Sequence, residues 1–156
     1  MTYLITDVRT PDLNRTCWHN WAEPANPQAR VSARPLPGTA LPLLRASENP
    51  VVVNVTSSLG SFWAVTNPER QESHFPCGAY GASKAAVSML TVQYAKAEPT
   101  IRFNAVEPGY TDTDFTAAMP GGRPVEESAK IVVHMAAISS DGHTGTLQED
   151  AGERRW

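Results

Sequence analysis

Apolar positions fall into a few blocks separated by turn residues. Val51-Val52-Val53-Asn54-Val55 is a run of β-branched residues, apolar on both faces, which predicts a central strand of a parallel sheet. Ile101 to Val106 predicts a second strand, closed by Glu107-Pro108-Gly109. Between them a helix is expected from about Gly78 to Glu98, where Pro99 ends it. On it Val87, Leu90 and Tyr94 share one stripe, while Ala82, Ala85, Ala86 and Met89 form a second, small-residue surface. Two strands joined through a long helix predict a βαβ crossover with the strands parallel.

Shorter patterns flank this unit. Residues 39–47 predict a helix with Leu41, Leu43 and Leu44 as its apolar contacts and Pro42 in its first turn. A helix opened by Pro124-Val125-Glu126-Glu127 runs on through Ile131, Val132, Met135 and Ile138, with carboxylates at the positive end of its dipole. Thr144-Gly145-Thr146-Leu147 predicts a last short strand, and Tyr3-Leu4-Ile5-Thr6 a first one. Residues 9–38 hold five prolines, four arginines and two tryptophans without helical or strand period, so an irregular segment is expected, with Trp18 and Trp21 packing on the domain. Residues 61–79 read as a long connection pinned by aromatics. The expected organisation is therefore 1–38 as an irregular segment with a short strand, then 39–156 as the folded part.

Composition narrows the class. A chain of 156 residues suits one compact domain. With 41% hydrophobic and 19% charged residues it reads as an ordinary soluble protein. The net charge of −3, with Lys and Arg scattered, gives no nucleic-acid footprint. Cys17 and Cys77 form neither a disulfide framework nor a zinc site, so no metal is expected and a reduced, cytoplasmic protein is the default. No stretch is long enough to span a membrane, and no signal peptide is recognisable.

The chemistry concentrates at Tyr80-Gly81-Ala82-Ser83-Lys84. Four positions apart on a helix, the phenol and the ammonium share one face. A free tyrosine titrates near ~10, and a neighbouring cation favours its phenolate, tuning it for proton transfer. By itself Tyr-x-x-x-Lys is a weak signal, and a lone match reads better as a tyrosine beside a solvated lysine. It gains weight from its setting: Thr56-Ser57-Ser58-Leu59-Gly60 leaves one strand and Pro108-Gly109 leaves the next. Ligands of open α/β sheets bind outside the carboxyl ends of the strands, so these segments converge on one edge. A hydroxyl, a phenol and an ammonium there suit hydride transfer at a carbonyl carbon.

These residues resemble the short-chain dehydrogenase/reductase family, its carbonyl-reductase-like members in particular. The matching segments are Val51 to Gly60, Tyr80 to Lys84, and Asn104-Ala105-Val106-Glu107-Pro108-Gly109-Tyr110-Thr111, and the resemblance covers roughly Ala40 onwards. It implies an α/β fold, a Rossmann-like parallel sheet flanked by helices. It implies an NAD(P)-dependent oxidoreductase acting on a small carbonyl or alcohol, with NADP favoured over NAD. By the resemblance Ser57 polarises the carbonyl, with Gly60 three positions on, and Tyr80 is the acid/base. Lys84 assists Tyr80 and holds the nicotinamide ribose. Pro108, Gly109, Thr111 and Thr113 contact the cofactor, although both threonines could equally cap the following turn. Asn54, His74, Glu126 and Glu127 are read as structural. The small-residue surface suits internal packing or the same helix of a second copy, so a homo-oligomer is one expectation.

The chain also departs from the family pattern. Its first glycine is Gly38, so the glycine-rich turn that lets a pyrophosphate approach a helix N-terminus is missing, and Asp7 follows the first strand where a glycine is expected. The Asn-Asn-Ala-Gly segment and the helix asparagine are missing too. The expectation is a truncated unit, with doubtful cofactor binding. Val51–Val55 is left on an exposed, sticky edge, covered by self-association or a partner. The alternative function is a non-catalytic remnant or interaction protein.

Overall fold

The computed structural model describes residues 2–7, 40–117 and 119–156. The irregular segment expected over residues 9–38, with Trp18 and Trp21, lies outside the described residues. In chain order the elements are β1 (Thr2–Asp7), α1 (Ala40–Arg45), β2 (Pro50–Val55), α2 (Phe62–Thr66), α3 (Gly78–Ala97), β3 (Arg102–Val106), α4 (Val125–Ala136), β4 (Leu147–Glu149) and β5 (Gly152–Arg154). Single turns of 3₁₀ helix span Ser58–Gly60, Gln71–His74 and Asp114–Thr116.

The five strands lie in the order β1-β2-β3-β4-β5. The first four run parallel and β5 returns antiparallel to β4. Val51, Val52 and Val53 are fully buried because helices cover both faces of β2. Val52 joins Leu44, Ile101 and Phe103 in one apolar cluster, against which Leu41, Tyr94 and Ala95 pack from α1 and α3. Val51 and Val53 join Val106, Ile131 and Met135 in the other, on the α4 side. That split is the period-2 alternation of a strand. Tyr94 stacks on Phe103 with ring centroids 5.4 Å apart.

Several expectations change. The edge of Val51–Val55 is not open, because β1 pairs along it in parallel register from Thr2↔Pro50 to Asp7↔Val55. A strand needs only a neighbour with free hydrogen-bonding groups, and Thr2–Asp7 supplies it. Leu43 is 69% exposed, so only Leu44 of the α1 leucines is buried and Leu41 is half-buried. A helix of six residues has one buried stripe, and Leu43 falls off it. The connection 61–79 is not one loop: Ser61 caps α2, accepting from Ala64 N at 3.1 Å. The last strand begins at Leu147 rather than Thr144, because 143–146 is tied to Asn104 instead. Asn104 is fully buried; it donates to His143 O at 2.7 Å and accepts from Thr146 Oγ1 at 2.8 Å. The β5 return, and with it the mixed character of the sheet, had no strand-like pattern in sequence.

Candidate active site

The carboxyl end of β2 is fastened to α3 by buried side chains. Asn54 donates to Thr91 Oγ1 at 2.8 Å. Thr56 Oγ1 donates to Lys84 O at 3.0 Å and lies 3.1 Å from Ser88 Oγ. These bonds fix the rotation of α3 about its axis, which decides where Tyr80 and Lys84 face. Asn54 therefore does more than satisfy local backbone.

Backbone packing then sets the distance. Gly60 has ordinary backbone angles, so it is not there for a conformation that other residues avoid. A Cβ there would stand 2.6 Å from the carbonyl carbon of Lys84 and 2.7 Å from Ala85 N. A Cβ on Gly81 would stand 2.8 Å from Leu59 O. The turn after Ser57 thus lies directly on the first turns of α3, with two glycines making the contact.

Lys84 is 4% exposed. Its Nζ donates to Val55 O at 3.2 Å and lies 5.8 Å from the Tyr80 ring centroid. Tyr80 is half-buried in the first turn of α3. The structure thus brings Tyr80, Lys84 and the end of β2 together. Ser57 is in extended conformation as the cap of Ser58–Gly60, its Oγ accepting from Leu59 N at 3.3 Å.

On the next strand Gly109 has φ +79°, which favours glycine. Its N–H donates to Glu107 Oε2 at 3.0 Å. Burial pushes the Glu107 carboxyl above its ordinary range, against the opposing pull of the Gly109 N–H and the Arg154 guanidinium. Arg123 lies across the loop: it donates to Pro108 O and, at 3.0 Å, to Ser128 Oγ, and pairs with Asp150. Thr111 Oγ1 donates to Gly109 O at 3.0 Å and lies 2.6 Å from Ser128 Oγ. Thr113 caps the Asp114–Thr116 turn with a reciprocal box to Thr116, so the capping role weighed for it is present. Arg123, Thr56 and Gly81 carry much of this architecture without having been singled out. Gly81, next to Tyr80, was the one visible signal, since a glycine inside a helix asks for a packing reason.

Among the described residues, no group of His, Cys, Asp or Glu could hold a metal, and no helix is long and apolar enough to cross a membrane. The family model for short chain dehydrogenase matches residues 36–123, more than half of the chain. The chain belongs to that family. Among its relatives, a short-chain dehydrogenase/reductase of Stachybotrys chlorohalonatus is 33% identical over 120 residues, covering 71% of this chain and 42% of the relative. (−)-Isopiperitenone reductase of Mentha piperita is 31% identical over 138 residues, covering 67% and 44%. Salutaridine reductase of Papaver somniferum superposes with a TM-score of 0.58 at 28% identity, covering 70% of this chain and 48% of that one. NADPH-bound carbonyl reductase from chicken fatty liver shares the fold, with a TM-score of 0.57 at 22% identity over 68% and 42%. This short-chain dehydrogenase family member spans less than half the length of each of these relatives.

Proposed function

We propose that the chain is the catalytic portion of an NAD(P)-dependent oxidoreductase that interconverts a small carbonyl compound and its alcohol. The observation that carries the reading is the buried Lys84 ammonium held 5.8 Å from the Tyr80 ring at the carboxyl end of β2. Two relatives are, by their names, reductases of isopiperitenone and of salutaridine, and one structural neighbour carries NADPH, which favours NADP.

The residues present suit the nicotinamide end of such a cofactor. Lys84 would hold the ribose hydroxyls, and the Pro108-Gly109 backbone with the Thr111 and Thr113 hydroxyls would line the ring and its phosphate. When bound, the cofactor supplies the hydride that reaches the carbonyl carbon. Tyr80 gives its phenolic proton to the carbonyl oxygen, and the C=O π bond becomes the O–H and C–H bonds of the alcohol. Lys84 favours the negative charge left on the phenolic oxygen. Ser57 orients the carbonyl by hydrogen bonding. In the oxidative direction Tyr80 takes the proton back.

The test is titration of the purified chain with NADPH and NADH, read by cofactor fluorescence. Saturable micromolar binding, weakened in Lys84→Ala, supports the reading. Its absence from a folded chain at millimolar cofactor would sink stand-alone catalysis. One observation favours that second reading, a scaffold without turnover: the Pro108 carbonyl already accepts from Arg123.

A further inference from the structure

The β4–β5 hairpin touches both segments that flank Tyr80. From β5, Arg154 pairs with Glu72 at 3.4 Å and with Glu149 beside it. Its side chain is 8% exposed, that of Glu72 13%. Glu72 in turn takes a two-pronged contact from Arg70, at 2.8 and 3.1 Å. The residues that follow continue the attachment: Arg155 O accepts from Ser61 Oγ at 2.9 Å, and Trp156 O from Trp63 N at 3.1 Å. One stretch of three residues thereby grips the chain between Ser57 and Tyr80 at three points. Meanwhile Asp150, in the hairpin turn, pairs with Arg123, whose guanidinium lies on Gly109 and donates to Pro108 O.

We propose that the β4–β5 hairpin is a strut that sets the spacing of the two flanking segments, with Arg154 positioning Ser57–His74 through Glu72 and Asp150 positioning the Pro108-Gly109 loop through Arg123. A purely structural edge strand needs only its ladder to β4. Arg154 instead places a buried charge whose Nε has no hydrogen-bond partner, at a desolvation cost that an apolar side chain would avoid. What the charge supplies is a bridge: Nη1 reaches Glu72 at 3.4 Å and Nη2 reaches Glu149, so one guanidinium ties β4 to the Gln71–His74 turn. The ion-paired partners of the two arms differ, Glu72 and Glu149 for Arg154 and Arg123 for Asp150, while Arg154 also acts electrostatically on Glu107. Their role in catalysis rests on the oxidoreductase reading above; their role in positioning does not.

The experiment is amide hydrogen exchange by mass spectrometry on the full chain and on Arg154→Met and Asp150→Asn. Arg154→Met should speed exchange over residues 57–74 by roughly tenfold and over 108–123 by much less. Asp150→Asn should do the reverse. If Arg154→Met fails to fold, Arg154→Lys keeps the cation but not the two nitrogens that reach Glu72 and Glu149 together, and should show the same pattern more weakly. Exchange that stays unchanged in both segments overturns the proposal. So does a rise spread evenly over β2, β3 and α3, which marks general destabilisation. In the presence of NADPH, Asp150→Asn should raise its Kd severalfold, whereas Arg154→Met should lower kcat at unchanged NADPH Kd. If the unaltered chain binds no NADPH, the oxidoreductase reading fails, and the exchange pattern alone decides the strut.

Discussion

Around Tyr80 the chain is held by backbone laid on backbone, with Gly60 and Gly81 leaving no room for a side chain at the contact. Around Gly109 it is held by side chains: Arg123 on Pro108 O and Asp150, Thr111 on Ser128, Thr113 on Thr116. The first kind of contact has no adjustable part. The second can open by rotating a few side chains, and its ion pair is partly exposed and so screened by salt. On the proposed reading such a site has one fixed wall bearing Tyr80 and Lys84 and one yielding wall where a cofactor would enter. That is the division expected if chemistry needs fixed geometry and binding needs access.

The largest expected effect separates chemistry from scaffold. Tyr80→Phe should lower turnover by about 10²–10⁴-fold while leaving the thermal midpoint nearly unchanged, as read by steady-state kinetics beside calorimetry. A loss of stability parallel to the loss of activity would show that the Tyr80 hydroxyl serves a structural hydrogen bond. Next comes the fixed wall itself. Gly60→Ala forces a Cβ to within 2.6 Å of the Lys84 carbonyl carbon, and should cost up to about 3 kcal/mol of unfolding free energy. A neutral result in urea titration would mean that the contact can yield, and the contrast between the walls would fall.

A smaller effect is expected at Thr56, whose hydroxyl donates to Lys84 O and meets Ser88. Thr56→Val keeps the shape and should cost about 1–2 kcal/mol, with Lys84-dependent cofactor binding weakened in step. The smallest effect concerns two carboxyl groups whose pKa values are shifted in opposite directions. Burial raises the Glu107 carboxyl above its ordinary value, so its contribution to stability is present below the unfolded pKa and lost as pH rises through the folded one. Burial also opposes ionisation of Glu72, but its bonds from Arg70, its own backbone N–H and Ser58 prevail and hold it below the ordinary value. Its contribution is present above the unfolded pKa and lost as pH falls through the folded one. Glu107→Gln should therefore raise the midpoint slightly at pH 7 and not in strong acid. Glu72→Gln should lower it at pH 7, the difference closing as the pH falls. Thermal scans from pH 3 to pH 8 read both, and equal slopes would contradict the assignment.

Much of this was written in one dimension. A run of valines with no polar face can only be a strand covered on both sides, and Val51–Val55 is that strand. The helix from Gly78 to Ala97 begins and stops where its flanking residues say, because Glu98-Pro99 cannot continue it. Tyr80 and Lys84 share a face by helical period alone, and the order of Ser57, Tyr80 and Pro108-Gly109 places them at one end of a parallel sheet. Local rules of period, capping and crossover suffice for all of these.

Other features depend on contacts between residues far apart in sequence. That Thr2–Asp7 lies beside β2 is a matter of pairing, and any short strand with the right twist would have the same pattern. That Gly60 serves close approach is decided by the backbone of α3, which no pattern near Gly60 describes. The grip of Arg154 on Glu72 joins positions 82 residues apart. A charged residue in sequence looks like a solvated one until the fold brings it a partner. Period and spacing determined which side chains could do chemistry here; tertiary packing decided what holds them, because a contact belongs to two places in the chain and is specified fully by neither.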